Sequence, residues 1–272
     1  MFEAIARFRQ KLAAKELCLG AGITLADPAI VEALAPCVDF VWIDLEHSHL
    51  SHESVLAHLI AARAGNIAAL VRVPDSDLGR IKPILDIGAD GIIVPQVRTA
   101  TEVRKIVDLS RYAPLGHRGY GPRRPAEYGR RGGREFMDQS NQHLFVAVQI
   151  ENQDALEAVE DIAAVEGLDS LALGPYDLSV SLGHAGDLGH ADVIAAITRV
   201  VNAAQRGGKH MGTGMGAYAN DALAAVHWGI QWIQCGDDYG YMVAHAEALM
   251  SGIRSQMGAK PRSQTADPTF PR

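Results

Sequence analysis

The stretch WIDLEHSH, residues 42–49, places Asp44, Glu46, His47 and His49 within six positions at the end of a run that otherwise reads as buried strand. Imidazoles and carboxylates so close together can ligate a metal or move a proton. A neutral imidazole offers a ligand lone pair, and its unperturbed pKa of about 6.5 lets it exchange protons near neutral pH. On this stretch alone a metal claw, a proton-transfer device and an incidental loop all remain open.

Residues able to do chemistry recur at the ends of later apolar runs. Arg72 follows AALV, Pro95 and Gln96 follow GIIV, Gln149 and Glu151 close LFVAVQIE, Asp177 stands in GPYDLS, and Asp237 and Asp238 end CGDD. A single acidic residue in such a place is ordinarily a helix N-cap or a solvated loop carboxylate. Glu151 and Asp177 together with Arg72 and His47 argue for more than that. Two carboxylates with few convergent His or Cys side chains suit a hard, oxygen-liking ion such as Mg²⁺ or Mn²⁺ better than zinc. In GPYDLS, Gly174 and Pro175 make a tight turn, and Asp177 and Ser179 open a plausible helical first turn. Backbone N–H groups at such a turn bind a carboxylate or phosphate, with an ordinary N-capped turn as the equal alternative. GTGMG at 212–216 is a weaker anion cradle, because it lacks the Lys and Ser/Thr of a P-loop.

These residues need a frame that brings strand ends together. Eight short, near-continuously hydrophobic runs stand along the chain: 17–24, 38–44, 68–73, 91–97, 144–151, 170–174, 209–214 and 231–236. Such runs are expected of parallel strands covered on both faces. Between them lie stretches with helical spacing, such as HESVLAHLIAARAG and ADVIAAITRVVNAAQRGG, several closed by the glycine that often caps a helix. Eight strands each followed by a helix predict an α/β protein of the (β/α)8 TIM-barrel class, with catalytic residues at the C-terminal strand ends. No GxGxxG follows the first run, which disfavours an open dinucleotide-binding sheet.

The 272 residues, 48% of them hydrophobic, suffice for one barrel domain, expected over 1–258 with a polar, Pro-containing, disordered tail over 259–272. The net charge of −7 argues against a nucleic-acid partner, which would need clustered Lys and Arg, and points to a small-molecule substrate. Cys18, Cys37 and Cys235 lie far apart with no CxxC pair, which fits a reducing cytoplasm rather than a disulfide framework. The N-terminal 20 residues read as an amphipathic helix, not a signal peptide, and no apolar stretch is long enough to cross a membrane. One connection breaks the rhythm: the Gly-, Arg- and Tyr-rich text from 110 to 143 is far longer than a usual βα loop and is expected as a lid or substrate-facing loop over the barrel mouth, with a plain surface insertion as the alternative. Its arginines offer an acidic substrate a partner, or lie solvated or at a subunit interface.

The DLEH of 44–47, Arg72, LDIGADGIIVPQV (85–97), RYAPLGHRGYG (111–121), QIE (149–151) and GPYDLS (174–179) resemble the metal-dependent pyruvate aldolases of the HpcH/HpaI aldolase/citrate lyase family over about residues 17–240. The resemblance implies a (β/α)8 barrel assembled as a homo-oligomer, often a hexamer that exchanges a C-terminal helix. It also implies a divalent ion (Mg²⁺, Mn²⁺ or Co²⁺) held by Glu151 and Asp177. Carried over by motif, Arg72 binds the keto oxygen and Gln149 supports the metal and substrate. The turn Gly174, Pro175, Tyr176, Asp177 receives the pyruvate carboxylate, and His47, oriented by Asp44, is the acid/base element. Glu46 is expected as a supporting carboxylate, and His49 has no metal role. The reaction implied is reversible cleavage of a 4-hydroxy-2-oxo acid to pyruvate or hydroxypyruvate and an aldehyde. No lysine stands at a strand end, so a Schiff-base mechanism is not expected. A CoA-ester lyase of malyl or citryl type is the first alternative. A zinc amidohydrolase is a more distant one, since it needs histidines where Glu151 and Asp177 stand.

Overall fold

The eight apolar runs close into a ring. The computed structural model describes residues 2–257, and in it eight parallel strands pair in chain order, with β1 completing the barrel against β8. The strands are β1 (Cys18–Ile23), β2 (Phe40–Asp44), β3 (Ala68–Arg72), β4 (Gly91–Val94), β5 (Phe145–Ile150), β6 (Ser170–Leu173), β7 (His210–Met215) and β8 (Trp232–Asp237). Helix α1 (Glu3–Ala13) precedes the barrel; α2 (Ala29–Leu34), α3 (His52–Ala64), α4 (Leu78–Ile87) and α5 (Ala100–Ser110) follow the first four strands in turn. Helix α6 (Gly133–His143) precedes β5, which α7 (Gln153–Glu157) and α8 (Val159–Ala163) follow. Then α9 (Pro175–Ser181) and α10 (Ala191–Arg206) follow β6, α11 (Ala219–His227) follows β7, and α12 (Asp238–Gln256) follows β8. The tail expected over 259–272 lies outside the described residues.

Local chemistry sets the helix ends. The Ser51 hydroxyl accepts from the Ser54 N–H and the Thr99 hydroxyl from the Glu102 N–H, each meeting a donor that the first helical turn leaves unpaired. Gly88 ends α4 in the left-handed region at φ 102°, which a side chain would resist.

Along each strand, side chains alternate between two buried faces. Val41, Ile43, Val71, Ile92, Val146 and Val148 join the helices in the outer core. Phe40, Trp42, Leu70, Ile93, Phe145 and Trp232 fill the barrel and share a cluster with Ile5, Phe8 and Leu12 of α1. Phe8 sets its ring edge-on to Phe40 and Phe145, 5.3 Å between centroids in each case, so α1 plugs the N-terminal end. The aromatic filling needs room from its neighbours. A Cβ on Gly212 would stand 1.9 Å from the Trp232 ring.

The long connection corrects an expectation. It follows α5 and precedes β5, so it emerges at the N-terminal edge of the barrel, not at the mouth. Arg111 donates to Gly167 O (2.7 Å) and Asp169 (3.0 Å), ahead of β6, while Arg118 donates to Asp86 near the end of α4 and Arg124 to the Leu59 carbonyl. Part of it is helical, since α6 buries Phe136 against Phe2 and Tyr112. No described helix is long and apolar enough to cross a membrane.

Candidate active site

The inward-facing alternation, carried to the C-terminal strand ends, exchanges apolar filling for polar groups. On β2 the series Phe40, Trp42 continues to Asp44; on β3 Ala68, Leu70 continues to Arg72; on β5 Phe145, Ala147 continues to Gln149 and then Glu151. Register sets Asp44 directly beside Arg72. Asp44, His47, Arg72, Gln149 and the turn Gly174 to Asp177 all line one cavity of about 560 Å³ at this end. Glu151 lies directly behind the turn: a Cβ on Gly174 would be 2.6 Å from a Glu151 carboxylate oxygen, so only glycine lets α9 start this close. A second cavity, of about 430 Å³, lies at the opposite end beside Phe2, Arg118 and Arg124 and contains none of the strand-end residues.

Arg72 is clamped. Its Nε donates to Asp44 Oδ1 (2.9 Å) and its Nη2 to Oδ2 (2.6 Å), while Nη1 lies 3.0 Å from Glu46 Oε2. Trp42 lies beneath the guanidinium, 5.5 Å from carbon to ring centroid. Burial works to weaken the Arg72 charge, but the Asp44 hydrogen bonds and the carboxylates of Asp44, Glu46 and Glu151 outweigh it and raise its pKa. For Asp44 burial favours protonation, yet Arg72 and the N–H groups of Glu46 and His47 hold it below the usual range. Burial pushes Glu46 up, helped by Asp44 and Asp177 and opposed by Arg72 and His47.

Asp44 therefore differs from its expected part. Its carboxylate is taken up by Arg72 and by the N–H groups of Glu46 (2.9 Å) and His47 (3.3 Å), so it fixes the His47 backbone rather than the ring. The imidazole points outward, 64% exposed, with Nε2 3.6 Å from Glu46 Oε2. The physical reason is register: a neighbouring strand delivers a permanent cation to Asp44 before a loop imidazole can compete.

Glu151 is only 2% exposed; it accepts from the Gln96 N–H on Oε1 and from Gln149 Nε2 on Oε2, both at 2.7 Å. Burial pushes it up to about 7, the charges of Glu46 and Asp177 add to the rise, and the Gln96 N–H and Arg72 oppose it. Gln149 Oε1 is buried without a hydrogen-bond partner. A buried acid crowded by two others beside an unsatisfied amide oxygen is a donor set short of positive charge, and hard divalent ions take such oxygen ligands. The residues present therefore fit the ion the sequence implied.

Gln96 is the residue to which sequence reasoning gave no role. Pro95 directly follows β4, and Gln96 sits at φ 54°, a strained backbone held where its N–H meets Glu151. The visible signal was a proline at a strand end. Asp238 binds the N–H groups of Thr24 and Leu25 and the Thr24 hydroxyl, tying β1 to β8, and Asp237 caps α12 through Gly240 N–H. Both are therefore structural. His184 and His190 stack at 3.5 Å beside Asp192, outside the cavity, the His190 ring already accepting from Asp192 N–H.

Known proteins resemble this chain in sequence and in fold. The profile of the HpcH/HpaI aldolase/citrate lyase family matches residues 23–246. A curated relative from Klebsiella pneumoniae, a 5-keto-4-deoxy-D-glucarate aldolase, is 32% identical over 91% of this chain and 96% of its own. One of the same name from Escherichia coli is 34% identical over 89% and 94%. The crystal structure of an HpcH/HpaI aldolase from Desulfitobacterium hafniense superposes with a TM-score of 0.85 at 30% identity, covering 93% of this chain and 98% of that one. That of the citrate synthase SbnG gives 0.81 at 31% identity over 92% and 98%. The chain belongs to the HpcH/HpaI aldolase/citrate lyase family and is a carbon–carbon lyase.

Proposed function

We propose that this chain is a divalent-metal-dependent aldolase that reversibly cleaves a 4-hydroxy-2-oxo acid to pyruvate or hydroxypyruvate and an aldehyde. The observation that carries the reading is the buried, charge-crowded Glu151 beside the unsatisfied Gln149 oxygen, with Arg72 at the same end of the cavity. Glu151 and Asp177 would hold the ion, Mg²⁺, Mn²⁺ or Co²⁺, with Gln149 in support. When bound, the ion supplies Lewis acidity toward the carboxylate and 2-oxo oxygens of the substrate.

The chain's own residues account for the rest. Arg72 is permanently charged and rigidly clamped, so it can face the 2-oxo oxygen as negative charge develops there without reorganising. In the first turn of α9, Tyr176 and Asp177 present N–H groups that a helix leaves unpaired, which suits the substrate carboxylate, while Pro175 has no N–H and Gly174 donates its own to the Ile150 carbonyl. His47, exposed at the cavity edge, would take the C4 hydroxyl proton as the C3–C4 bond breaks. The electron pair of that bond passes to C3 and the 2-oxo oxygen, giving the pyruvate enolate and an aldehyde.

Removing the ion tests the reading. Dialysis against EDTA should abolish cleavage and re-addition of Mg²⁺ or Mn²⁺ restore it, whereas Glu151→Ala should not be restored; full activity in EDTA would sink the assignment. The likeness to SbnG, itself called a citrate synthase, favours a second reading, carbon–carbon chemistry on a malyl- or citryl-type CoA ester. CoA-dependent acetyl release would select it. We further propose a cytoplasmic homo-oligomer, a hexamer or trimer of dimers.

A further inference from the structure

We infer that the aldehyde handled at this site is uncharged and apolar, an alkyl or aryl aldehyde rather than one that carries a second carboxylate. The inference rests on the aldolase reading above. Gln149 and Arg72 line one end of the cavity, with Glu151 behind the Gly174 turn, and that end takes the 2-oxo acid. The remaining space opens toward β7 and α11, where Leu188, Met215, Trp228 and Ile230 line it.

Charge decides what can sit there. Among the described residues lining the cavity, the one permanent cation is Arg72, already bonded twice to Asp44 and 3.0 Å from Glu46. Asp221 and Asp237 line the same space, so a second carboxylate would meet like charges and no further cation among the lining residues. An unpaired carboxylate taken out of water is costly, and like-charge juxtaposition adds to that cost. Arg118 and Arg124 of the long connection are bound at the opposite end of the barrel, and none of that connection's arginines lines the cavity. The substrate named for the curated relatives, a glucarate, is a dicarboxylate; the acceptor half of this cavity is built for something else.

In the condensing direction the pyruvate methyl gives up a proton and its carbon bonds to the aldehyde carbonyl carbon. The carbonyl π pair moves to oxygen, which takes a proton, and a 4-hydroxy-2-oxo acid results. Butanal and succinic semialdehyde share a four-carbon chain and differ in the terminal carboxylate, so they isolate the charge. The full-length protein with pyruvate and Mg²⁺ should use butanal with a kcat/KM at least about tenfold higher, which corresponds to ~1.4 kcal/mol. Equal or preferential use of succinic semialdehyde would overturn the inference, as would failure to condense butanal while exchange at the pyruvate methyl proceeds. That exchange, followed in deuterium oxide without any aldehyde, separates the two claims: its absence defeats the aldolase reading itself. Ala224→Arg adds a cation at an exposed position lining the acceptor half. It should shift the ratio severalfold toward succinic semialdehyde, and an unchanged ratio would count against the acceptor half being where the aldehyde sits.

Discussion

Arg72 keeps its charge at a buried strand end because two carboxylates share it, and the geometry of that sharing matters more than the charge itself. Lysine at 72 would keep a cation but lose the planar fork that meets both Asp44 oxygens while leaving Nη1 toward Glu46. Arg72→Lys should therefore lower kcat/KM by roughly 10² to 10³, the cost of one misplaced donor to a developing oxyanion, while circular dichroism stays unchanged. An activity within a fewfold of the parent would show that charge alone suffices. Glu151 gives a second test at this scale. Its folded pKa of about 7 lies above the ordinary glutamate value of about 4.3, so between those values the folded chain binds more protons than the unfolded one. Its contribution to metal-free stability is thus fully present at acid pH and lost as pH rises through 7. Denaturant titrations in EDTA should show stability falling from pH 5 to 8, and Glu151→Gln should flatten that slope; a parent slope of opposite sign would contradict the burial argument. Glu46 acts in the same direction, while Asp44, held low by Arg72 against the effect of burial, acts with the opposite sign, its contribution being lost as pH falls below the ordinary aspartate value of about 3.9. Residue types were legible in the sequence, since acids, an arginine and an amide at successive strand ends announce a site. Partnerships were not, because Asp44 takes its partner from 28 residues away through strand register, which no local pattern encodes.

At the scale of elements, α1 is an interior component as much as a leading helix. Phe8, 2% exposed, fills the N-terminal end of the barrel among Phe40, Phe145 and Trp232. Phe8→Ala should cost about 3–5 kcal/mol in denaturant stability, as other buried phenylalanine truncations do, with little change in KM because the plug is at the far end from the site. A loss below about 1 kcal/mol would show that α1 only rests on the surface. The strands and most helices were readable because their apolar periodicities are strong. Helix α6 was not: among its buried residues Phe136 alone is apolar, and Ser140 and Asn141 complete the face, Asn141 bridging Tyr112 N–H and carbonyl. A helix with a single buried apolar side chain offers few apolar residues from which to read a period. The same segment was expected at the mouth because its length suggested a lid, yet a connection from helix to strand must start at the opposite edge of a parallel barrel. Length marks a connection as unusual, and only topology says which end it serves.

For the whole molecule, the closed ring follows from the count of eight apolar runs, but the assembly has to be argued from the outside. Only Asp238 of α12 is buried. Tyr239, Val243, Met250, Ile253 and Met257 recur at three-, four- and seven-residue intervals along this helix and its C-cap, and each is between 42% and 80% exposed. An apolar stripe at helical spacing ordinarily faces a core, and soluble proteins seldom leave one uncovered. The proposed oligomer would cover it with a second copy of this chain, which makes α12 the element on which assembly depends. Met250→Glu combined with Ile253→Lys places charge in the middle of the stripe without touching the barrel interior, so the folded barrel should persist. Sedimentation should then show the parent as an oligomer and the double variant shifted toward the 29.1 kDa chain, with circular dichroism unchanged. A parent that sediments as a monomer, or a variant with the parent's mass, would mean that α12 is not the contact. If the assembly dissociates while exchange at the pyruvate methyl continues, the site is complete within one chain; if exchange is lost with it, a neighbouring copy helps to hold the mouth in its working form.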